Sequence, residues 1–251
     1  MDAALQNAVQ ALKHARRVTV LTGAGVSKES GVPTYRDALT GLWANYSFED
    51  LASPQGYMRD PAMVWDWYEE RRSQLKVVKP NPGHIALAQL AARYDQFLLI
   101  TQNVDDLHER GGSSDVIHLH GHLMLTRCFS DCRGNPTRIE PKDYVMRDTS
   151  PPLCPYCGRW LRPDVVWFTE MLPQADFQRA QKASLSCDVM LVVGTSAMVY
   201  PAASLPSLAD AAGAVVIEVN PEPTDISHLA GIHLRGPSGE ILPQLVGALD
   251  A

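Results

Sequence analysis

The chain has 251 residues, of which 45% are hydrophobic and 20% are charged, and its formal net charge is −6. This length suits one sizeable core that carries a smaller inserted module. The negative charge argues against nucleic acid as a partner, because phosphate backbones bind basic surfaces. No stretch approaches the roughly 20 apolar residues that span a bilayer.

The first predicted element is an amphipathic helix, in which Leu5, Val9 and Leu12 recur at helical spacing. This region lacks the continuous apolar stretch of a signal peptide, and Asp2 is unusual in a transit peptide. We therefore expect a cytoplasmic protein that does not associate with a membrane.

Four short apolar runs have the pattern of buried β-strands. They are Arg17–Leu21, Phe97–Thr101, Val189–Val193 and Ala214–Val219. Such runs bury both faces, as strands of a parallel sheet do. Helices are predicted between them, over Gly83–Tyr94, Asp176–Ser186 and Ala202–Ala212. The sequence thus predicts an α/β fold with a doubly wound parallel sheet, in which ligands bind beyond the carboxyl ends of the strands.

Two close pairs of cysteines lie in a segment outside this alternation, His122–Pro163. The pairs are Cys128-x3-Cys132 and Cys154-x2-Cys157. In a reducing compartment such pairs favour a tetrahedral zinc site, which is structural when all four ligands are protein. Unligated thiols or a redox pair are the alternatives. Cys187 stands alone and is predicted to be a core thiol.

A glycine-containing turn, Gly23-Ala24-Gly25, follows the first predicted strand. Its backbone could approach a pyrophosphate, and Ser27 with the start of the next helix would add hydrogen-bond donors. The third glycine of the usual dinucleotide-binding fingerprint is missing, so a tight turn without a ligand is the alternative.

Two histidines, His118 and His120, immediately precede the cysteine-bearing segment. Alternate residues at a strand end share a face, and a histidine in a cleft is a natural general base near neutral pH. The alternative for either residue is a purely structural role.

From about Val18 to Leu245 the order of the motifs resembles that of the sirtuins. The motifs are Gly23-Ala24-Gly25-Val26-Ser27, Pro33-Thr34-Tyr35-Arg36, Thr101-Gln102-Asn103-Val104-Asp105, His120-Gly121, the paired cysteines, Val165-Val166-Trp167-Phe168-Thr169-Glu170 and Gly194-Thr195-Ser196. The resemblance implies a Rossmann-like domain and a smaller domain made of a helical insertion and a zinc ribbon. The expected ranges are 1–35, 81–121 and 164–251 for the first, 36–80 for the insertion and 122–163 for the zinc ribbon.

The resemblance also implies an NAD site, because sirtuins use NAD as a co-substrate. The expected NAD-binding residues are Gly23, Ala24, Gly25, Ser27, Tyr35, Arg36, Trp43, Gln102, Asn103, Val104, Asp105, Gly194, Thr195, Ser196, Asn220, Glu222 and Ser238. Among them, Asp105 suits an acceptor for the carboxamide group of nicotinamide.

The implied reaction removes an acyl group from a lysine side chain of a protein and yields nicotinamide and 2′-O-acyl-ADP-ribose. His120 is the expected general base, and Asn103 is the second expected catalytic residue. Backbone groups of Val166, Trp167 and Phe168 would pair with the extended substrate peptide. The one structural zinc ion is expected at the four paired cysteines.

Tyr68 and Arg71 lie three apart in a predicted helix, so they share a face. This pair resembles the signature of sirtuins that remove succinyl, malonyl or glutaryl groups. A guanidinium can hold the terminal carboxylate of such a group in a bidentate pair, and a phenol can donate one more bond. The alternative is an arginine paired with Glu69 or Glu70 and a tyrosine packed in the core.

The sequence leaves alternatives open for both the acyl preference and the reaction. Plain lysine deacetylation is the nearest one. Mono-ADP-ribosyl transfer from the same NAD site and a non-catalytic NAD-sensing module are the others. The presence of His120 and Asn103 favours deacylation over both.

Overall fold

The structure is a computed structural model that describes residues 2–33, 46–148 and 150–250. The strands are β1 (Arg17–Thr22), β2 (Gln96–Thr101), β3 (Val116–His118), β4 (Gly121–Cys128), β5 (Leu161–Val165), β6 (Val189–Val193), β7 (Val215–Val219) and β8 (Ile232–Leu234). Six of them form one parallel sheet in the order β3-β2-β1-β6-β7-β8, while β4 and β5 form a separate antiparallel pair.

Ten α-helices are present in the described residues. They are α1 (Ala3–His14), α2 (Gly25–Lys28), α3 (Phe48–Leu51), α4 (Pro54–Arg59), α5 (Pro61–Val77), α6 (Pro82–Ala91), α7 (Leu107–Arg110), α8 (Gln174–Ser186), α9 (Leu205–Ala211) and α10 (Ser238–Leu249). None of the described helices is long and apolar enough to cross a membrane.

Apolar side chains cover both faces of the parallel sheet, as the continuous apolar runs predict. On one face, α1, α6 and α10 contribute Leu12, Leu87 and Leu242 to a core with the sheet. On the other face, α8 and α9 contribute Ala180 and Ala209 to a second core. The predicted doubly wound parallel sheet is confirmed, because each face is closed by its own set of helices.

The four predicted strands are present: Val189–Val193 has the predicted bounds, and each of the other three differs by one residue at one end. The predicted helix over Ala202–Ala212 is wrong in its first turn, since residues Ala202–Ser204 form a 3₁₀ turn and α9 begins at Leu205. Pro206 lies in the first turn of α9, where its missing N–H costs no helical hydrogen bond. Cys187 is buried in the sheet core, as expected.

Helices α3, α4 and α5 pack on the antiparallel pair of strands to form a smaller unit. Tyr57 of α4 and Trp67 of α5 share one apolar cluster with Leu123 of β4 and with Trp167. A second cluster joins Trp65 to the cysteine-bearing loops. The described part of the predicted helical insertion and the cysteine-bearing segment His122–Pro163 therefore pack together. The boundary between residues 35 and 36 lies outside the described residues, and the domain ranges stay a prediction.

Candidate active site

A cavity of about 340 Å³ lies where β1 and β2 end, between the parallel sheet and the smaller unit. Twelve of the predicted site residues line it: Ala24, Ser27, Tyr68, Arg71, Gln102, Asn103, Val104, Asp105, His120, Val166, Trp167 and Phe168. This is the position at which an open α/β sheet binds ligands, since the carboxyl ends of the strands meet there. The structure thus brings the predicted catalytic and substrate residues around one space.

His120 lines this cavity with its imidazole in a defined orientation. Its Nδ1 lies 2.9 Å from the carbonyl oxygen of Gln102, so Nδ1 carries the proton and donates it to that carbonyl. The other ring nitrogen, Nε2, then keeps its lone pair. Burial lowers the pKa of His120, and the Gln102 carbonyl opposes this only in part. A neutral imidazole with a basic Nε2 is the form that a general base requires.

The prediction that His118 and His120 share a face is wrong. His120 lines the cavity, and His118 does not. β3 ends at His118, and the chain then turns through Gly121, where φ is 80°. His118 Nδ1 donates to the carbonyl oxygen of Asn103 at 3.2 Å, and its Nε2 lies 2.6 Å from Glu109. Burial alone would lower the pKa of His118, but the hydrogen bond and charge of Glu109 raise it.

Ser27 is the centre of a buried polar network at the base of the cavity. Its hydroxyl donates to Asp105 Oδ2 at 2.9 Å and accepts from Asn103 Nδ2 at 3.0 Å. Asp105 also accepts from the backbone N–H of Leu107 at 3.1 Å. Burial raises the pKa of Asp105, although these bonds partly oppose the shift. The network fixes the amide of Asn103 and the carboxyl of Asp105 relative to each other.

Two further histidines, which the motif analysis did not single out, lie behind this network. His84 Nε2 is 3.4 Å from the Ser27 hydroxyl, and the rings of His84 and His108 have centroids 4.9 Å apart. Burial lowers the pKa of His84 to about 4 and that of His108 to about 3. Both are therefore neutral at physiological pH. Within the described residues, Nδ1 of His108 has no hydrogen-bond partner.

The glycine turn after β1 packs directly on the end of β6. Gly25 N–H donates to the Gly194 carbonyl at 2.8 Å, and a Cβ built on Gly25 would lie 2.7 Å from that oxygen. Gly194 has φ of +59°, and a Cβ there would lie 2.5 Å from the nitrogen of Val26. Only glycine fits either position. This close approach is required by the packing of the chain itself, whether or not a ligand is present.

The turn after β6 is linked to neighbouring strand ends by side chains. Gln102 Nε2 donates to the hydroxyl of Thr195 at 2.9 Å, and Asn220 Nδ2 donates to the Thr195 carbonyl at 3.1 Å. Three residues predicted to bind NAD therefore meet along this edge of the sheet, next to the cavity. Such a row of polar groups suits an elongated ligand that extends from the cavity across the strand ends.

The remaining predicted NAD residues lie apart from the cavity or outside the described part of the chain. Ser196 and Glu222 are exposed. Ser238 is buried, and its hydroxyl donates to Glu29 at 2.9 Å, so this hydroxyl already has a partner. Tyr35, Arg36 and Trp43 lie outside the described residues. The roles of all six stay predictions.

Tyr68 and Arg71, the pair predicted to bind the acyl group, also line this cavity. Tyr68 is 2% exposed, and its hydroxyl oxygen accepts a hydrogen bond of 2.9 Å from the indole N–H of Trp167. The guanidinium of Arg71 lies 5.0 Å from the ring centre of Trp67. Both side chains line the same cavity as His120.

Arg72, the neighbour of Arg71, has a different environment. It is 7% exposed and donates to the carbonyls of Leu123 and Leu125, each at 2.7 Å. It also pairs with Glu69 at 2.5 Å. Glu69, one of the two partners that the alternative interpretation named, is therefore paired with Arg72. The two adjacent arginines thus face different surroundings, one the cavity and the other the interior of the smaller unit.

The backbone after β5 forms another wall of the cavity. Val166 N–H donates to the His120 carbonyl at 2.8 Å, and Phe168 N–H donates to the Ala52 carbonyl at 2.9 Å. Trp167 N–H donates to Glu170 at 2.8 Å. All three N–H groups already have partners within the chain. Pairing with a peptide at Val166, Trp167 and Phe168 would therefore have to use their carbonyl oxygens.

Comparisons with known proteins agree with this geometry. The sequence profile described as "Sir2 family" matches residues 23–201. A protein of Methylococcus capsulatus named NAD-dependent protein deacylase is 51% identical over 242 residues, which cover 95% of this chain and 94% of that protein. The chain belongs to the Sir2 family.

Solved structures of Sir2 proteins have the same fold. A Sir2 homologue in complex with NAD matches with a TM-score of 0.89 and 43% identity, covering 100% of this chain and 94% of that chain. A Sir2–p53 peptide–NAD⁺ complex matches with a TM-score of 0.83 and 28% identity, covering 99% and 98% of the two chains. The Rossmann-like core of this Sir2-family chain is thereby confirmed.

The four paired cysteines of this Sir2-family chain come together, as their spacing predicts. Their sulfur atoms all lie within 4.8 Å of one another, with Cys128–Cys157 at 3.5 Å and Cys132–Cys154 at 3.8 Å. Four sulfurs around a tetrahedral zinc are about 3.8 Å apart, so the donor set fits a structural zinc ion. Asp131, the residue before Cys132, has φ of 44°.

One buried arginine of this Sir2-family chain escaped the sequence analysis, although it organises a cavity wall. Arg162 is 2% exposed, donates to the Val165 carbonyl at 2.7 Å and pairs with both carboxylate oxygens of Glu170. Its guanidinium lies 3.4 Å from the ring centre of Trp167. Arg162 fixes the segment that follows β5. Its position three residues before Val165, where the Val165–Glu170 motif begins, is the signal that could have indicated this role.

Proposed function

We propose that this protein is an NAD-dependent protein-lysine deacylase that removes succinyl and malonyl groups, and also acetyl groups, from lysine. The products would be nicotinamide and 2′-O-acyl-ADP-ribose. The observation that carries the proposal is that His120, with its basic Nε2, and the pair Tyr68 and Arg71 line one cavity. The name of the Methylococcus capsulatus relative supports the reaction, and the NAD complexes of the solved Sir2 proteins support the co-substrate.

The residues present fit NAD as a co-substrate. When bound, NAD supplies a ribose carbon that takes up the acyl oxygen as nicotinamide leaves. The Asp105 carboxyl can accept from the carboxamide group, because each of its oxygens accepts only one bond from the described residues. Asn103 is held at the same end of the cavity by Ser27. These groups would orient the nicotinamide end beside His120.

The role of His120 follows from its hydrogen bond. Because Nδ1–H is bound to the Gln102 carbonyl, only Nε2 can accept a proton from a ribose hydroxyl. The lowered pKa of His120 keeps Nε2 unprotonated at neutral pH. The backbone bond therefore fixes both the tautomer and the ring orientation of the base.

The acyl preference rests on Tyr68 and Arg71. Both lie in a largely apolar cavity, where a guanidinium stabilises a carboxylate far more than it does in water. The Tyr68 oxygen accepts from Trp167, which orients its own O–H. A succinyl or malonyl group ends in a carboxylate that can occupy this position. An acetyl group has no such charge, so it would gain nothing from Arg71.

The reaction is tested by incubating the protein with acyl-lysine peptides, with and without NAD, and by measuring peptide mass and free nicotinamide. We expect free lysine and nicotinamide to form in equal amounts, and only when NAD is present. Full-rate deacylation without NAD would refute the proposal. Transfer of ADP-ribose to a protein, without loss of the acyl group, would favour the mono-ADP-ribosyltransferase alternative.

The acyl preference is tested with Arg71→Met. We expect kcat/KM for succinyl-lysine to fall roughly a hundredfold, which corresponds to ~3 kcal/mol of lost transition-state binding, while acetyl-lysine changes little. Tyr68→Phe should have a smaller effect in the same direction, because it removes one neutral donor. Arg59→Met is the control, since Arg59 is an exposed arginine of the same unit. Equal losses on both substrates would make plain deacetylation the better assignment.

The substrates would be acylated lysine side chains of other proteins, and the cytoplasm is the proposed location. Cysteine usage supports that location, because four closely paired cysteines that fit a zinc ion are typical of a reducing compartment. Fractionation of the source cells with an antibody against the chain would test it, and recovery of the protein outside the cytoplasmic fraction would contradict it.

A further inference from the structure

Glu109, His118 and His122 form a cluster at the junction between the parallel sheet and the smaller unit. Glu109 is on α7, His118 is the last residue of β3, and His122 is the second residue of β4. One potential ligand atom of each side chain lies within 4.8 Å of the other two. The catalytic cavity and the four cysteines do not include any of the three. The cluster is therefore separate from both sites described above.

The hydrogen bonds of His118 direct one ring nitrogen towards the centre of this cluster. Its Nδ1 carries a proton, because it donates to the Asn103 carbonyl. In the neutral imidazole, Nε2 then has a lone pair, yet it faces a carboxylate oxygen of Glu109 at 2.6 Å. At this distance the two acceptors share a proton, and a metal ion can take the place of that proton only if the two atoms separate to about 3.3 Å. A backbone bond from Nδ1 is also how metal-binding histidines are commonly oriented.

A shared proton explains the contact between His118 and Glu109, but it does not explain why His122, the third residue of the cluster, lies beside them. The ring of His122 lies beside that of His118, with centroids 4.8 Å apart. A protonated His118 would repel any positive charge on this neighbour. The nearby carboxylates do not complete the set, because Asp106 pairs with Arg110 and Asp164 pairs with Arg138. Two imidazoles and one carboxylate are thus left facing one another.

We propose that Glu109, His118 and His122 bind a borderline divalent cation of the Zn²⁺ class at a second site distinct from the cysteines. Two imidazole nitrogens and one carboxylate suit zinc, nickel, cobalt or copper better than calcium or magnesium. Tetrahedral ligands of zinc lie about 3.3 Å apart, so the side chains have to move by only about 1 to 2 Å. Glu109 is 37% exposed, which leaves it room to do so.

Binding at this site requires only a small rearrangement of existing bonds. His122 Nδ1 accepts a hydrogen bond from the N–H of Met124 at 3.2 Å, which is long for such a bond. Ligation through Nδ1 breaks this bond, and ligation through Nε2 requires the ring to turn. Metal binding also displaces the proton between His118 Nε2 and Glu109, which passes to solvent. The bonds lost are this hydrogen bond and one long bond of His122, and the bonds gained are two metal–nitrogen bonds and one metal–oxygen bond.

A bound cation would connect the two parts of the molecule across the catalytic histidine. His118 belongs to the parallel sheet and His122 belongs to the antiparallel pair, and His120 lies between them in the chain. The ion would hold the junction in one arrangement on both sides of His120. This makes the site suited to control by metal availability.

The test is calorimetric titration of Zn²⁺ into protein whose cysteine site is already loaded with zinc and which carries no affinity tag. We expect one additional ion per chain with a Kd on the order of 1 µM. His122→Asn and Glu109→Gln should each weaken this binding by about tenfold or more. His228→Asn is the matched control, because His228 is exposed and lies elsewhere on the surface, and it should bind like the unaltered chain.

The assay contains neither NAD nor an acyl peptide, so its outcome is independent of the proposed reaction. Thermal melting of each variant verifies that it is folded, and either variant alone is sufficient if the other is not. A complementary measurement is the ¹⁵N spectrum of histidine ring nitrogens, in which zinc should shift the signals of His118 and His122. The proposal is overturned if no additional ion binds at about 100 µM free Zn²⁺, or if His122→Asn, Glu109→Gln and His228→Asn bind it equally.

Discussion

Replacing Arg72 with Met tests whether this buried arginine holds the smaller unit together. The guanidinium of Arg72 donates to two carbonyls of β4 at 2.7 Å and to the hydroxyl of Thr126 at 2.9 Å. It also lies 5.4 Å from the ring centre of Trp65. Methionine has a similar apolar stem but no donor. The substitution would leave one buried carbonyl, one partly buried carbonyl and one buried hydroxyl without this partner.

The cost can be estimated from these contacts. An acceptor that is left buried without a partner costs about 1–3 kcal/mol, and loss of one member of a buried charged network costs about 3–5 kcal/mol in total. Because the side chain of Glu69 is 43% exposed, its pairing with Arg72 adds little to this sum. We therefore expect a loss of about 3–5 kcal/mol, against a total stability of about 5–15 kcal/mol for a typical protein.

Thermal unfolding followed by circular dichroism measures this effect, with Arg71→Met as the matched control. For a chain of this size, 1 kcal/mol corresponds to about 2–4 °C in Tm, so Arg72→Met should lower Tm by about 10 °C. Arg71→Met should change it by only a few degrees, because Arg71 lines the cavity. Activity of the Arg72 variant should fall equally on all acyl groups. A Tm within a degree or two of the unaltered protein would show the buried network to be unimportant.

Three other predictions concern the base, the zinc site and a buried histidine. His120→Ala should lower turnover by roughly 10²-fold or more while NAD binding, measured by calorimetry, stays largely intact, and near-normal turnover would mean that another group is the base. Chelation of zinc should unfold the smaller unit before the parallel sheet, as hydrogen exchange would report, and a folded, active, metal-free preparation would contradict this. Burial lowers the pKa of His84 to about 4, so the unfolded chain binds a proton at higher pH than the folded one. The stability contribution of neutral His84 is therefore complete above about pH 6.5 and is lost towards about pH 4, by up to about 1.4 kcal/mol per pH unit. Urea unfolding across this range should show a smaller acid loss for His84→Gln, and an unchanged acid loss would exclude His84 as its source.

Periodicity and strand-end chemistry were sufficient to predict the sheet and most of the cavity. Continuous apolar runs such as Val189–Val193 can bury only as central strands, and the polar residues after them must then meet at one edge. The cysteine pairs likewise predicted their own cluster. These predictions depended only on local sequence patterns, and at the strands and the cysteine pairs the fold has the structure that those patterns favour.

Helix periodicity did not distinguish Arg71 from Arg72, which only the family resemblance separated, and it did not reveal the roles of His84 and Arg162. Each of these side chains owes its environment to residues far away in the chain, as Arg72 does to the carbonyls of β4. The helix pattern shows that adjacent arginines point in different directions from the helix axis, but it does not indicate which of the two is buried by the rest of the chain. For the same reason, the 3₁₀ turn before α9 and the separation of His118 from the cavity emerged only from the packing.

The contact between Gly25 and Gly194 has a genetic consequence. Each glycine lacks a side chain because the main chain of the other occupies that space. A larger residue at one position cannot be compensated by a smaller residue at the other, since glycine is already the smallest. In a selection for restored activity, an alanine at either position should yield true revertants or changes that separate β1 from β6. Paired substitutions at Gly25 and Gly194 should not appear among them.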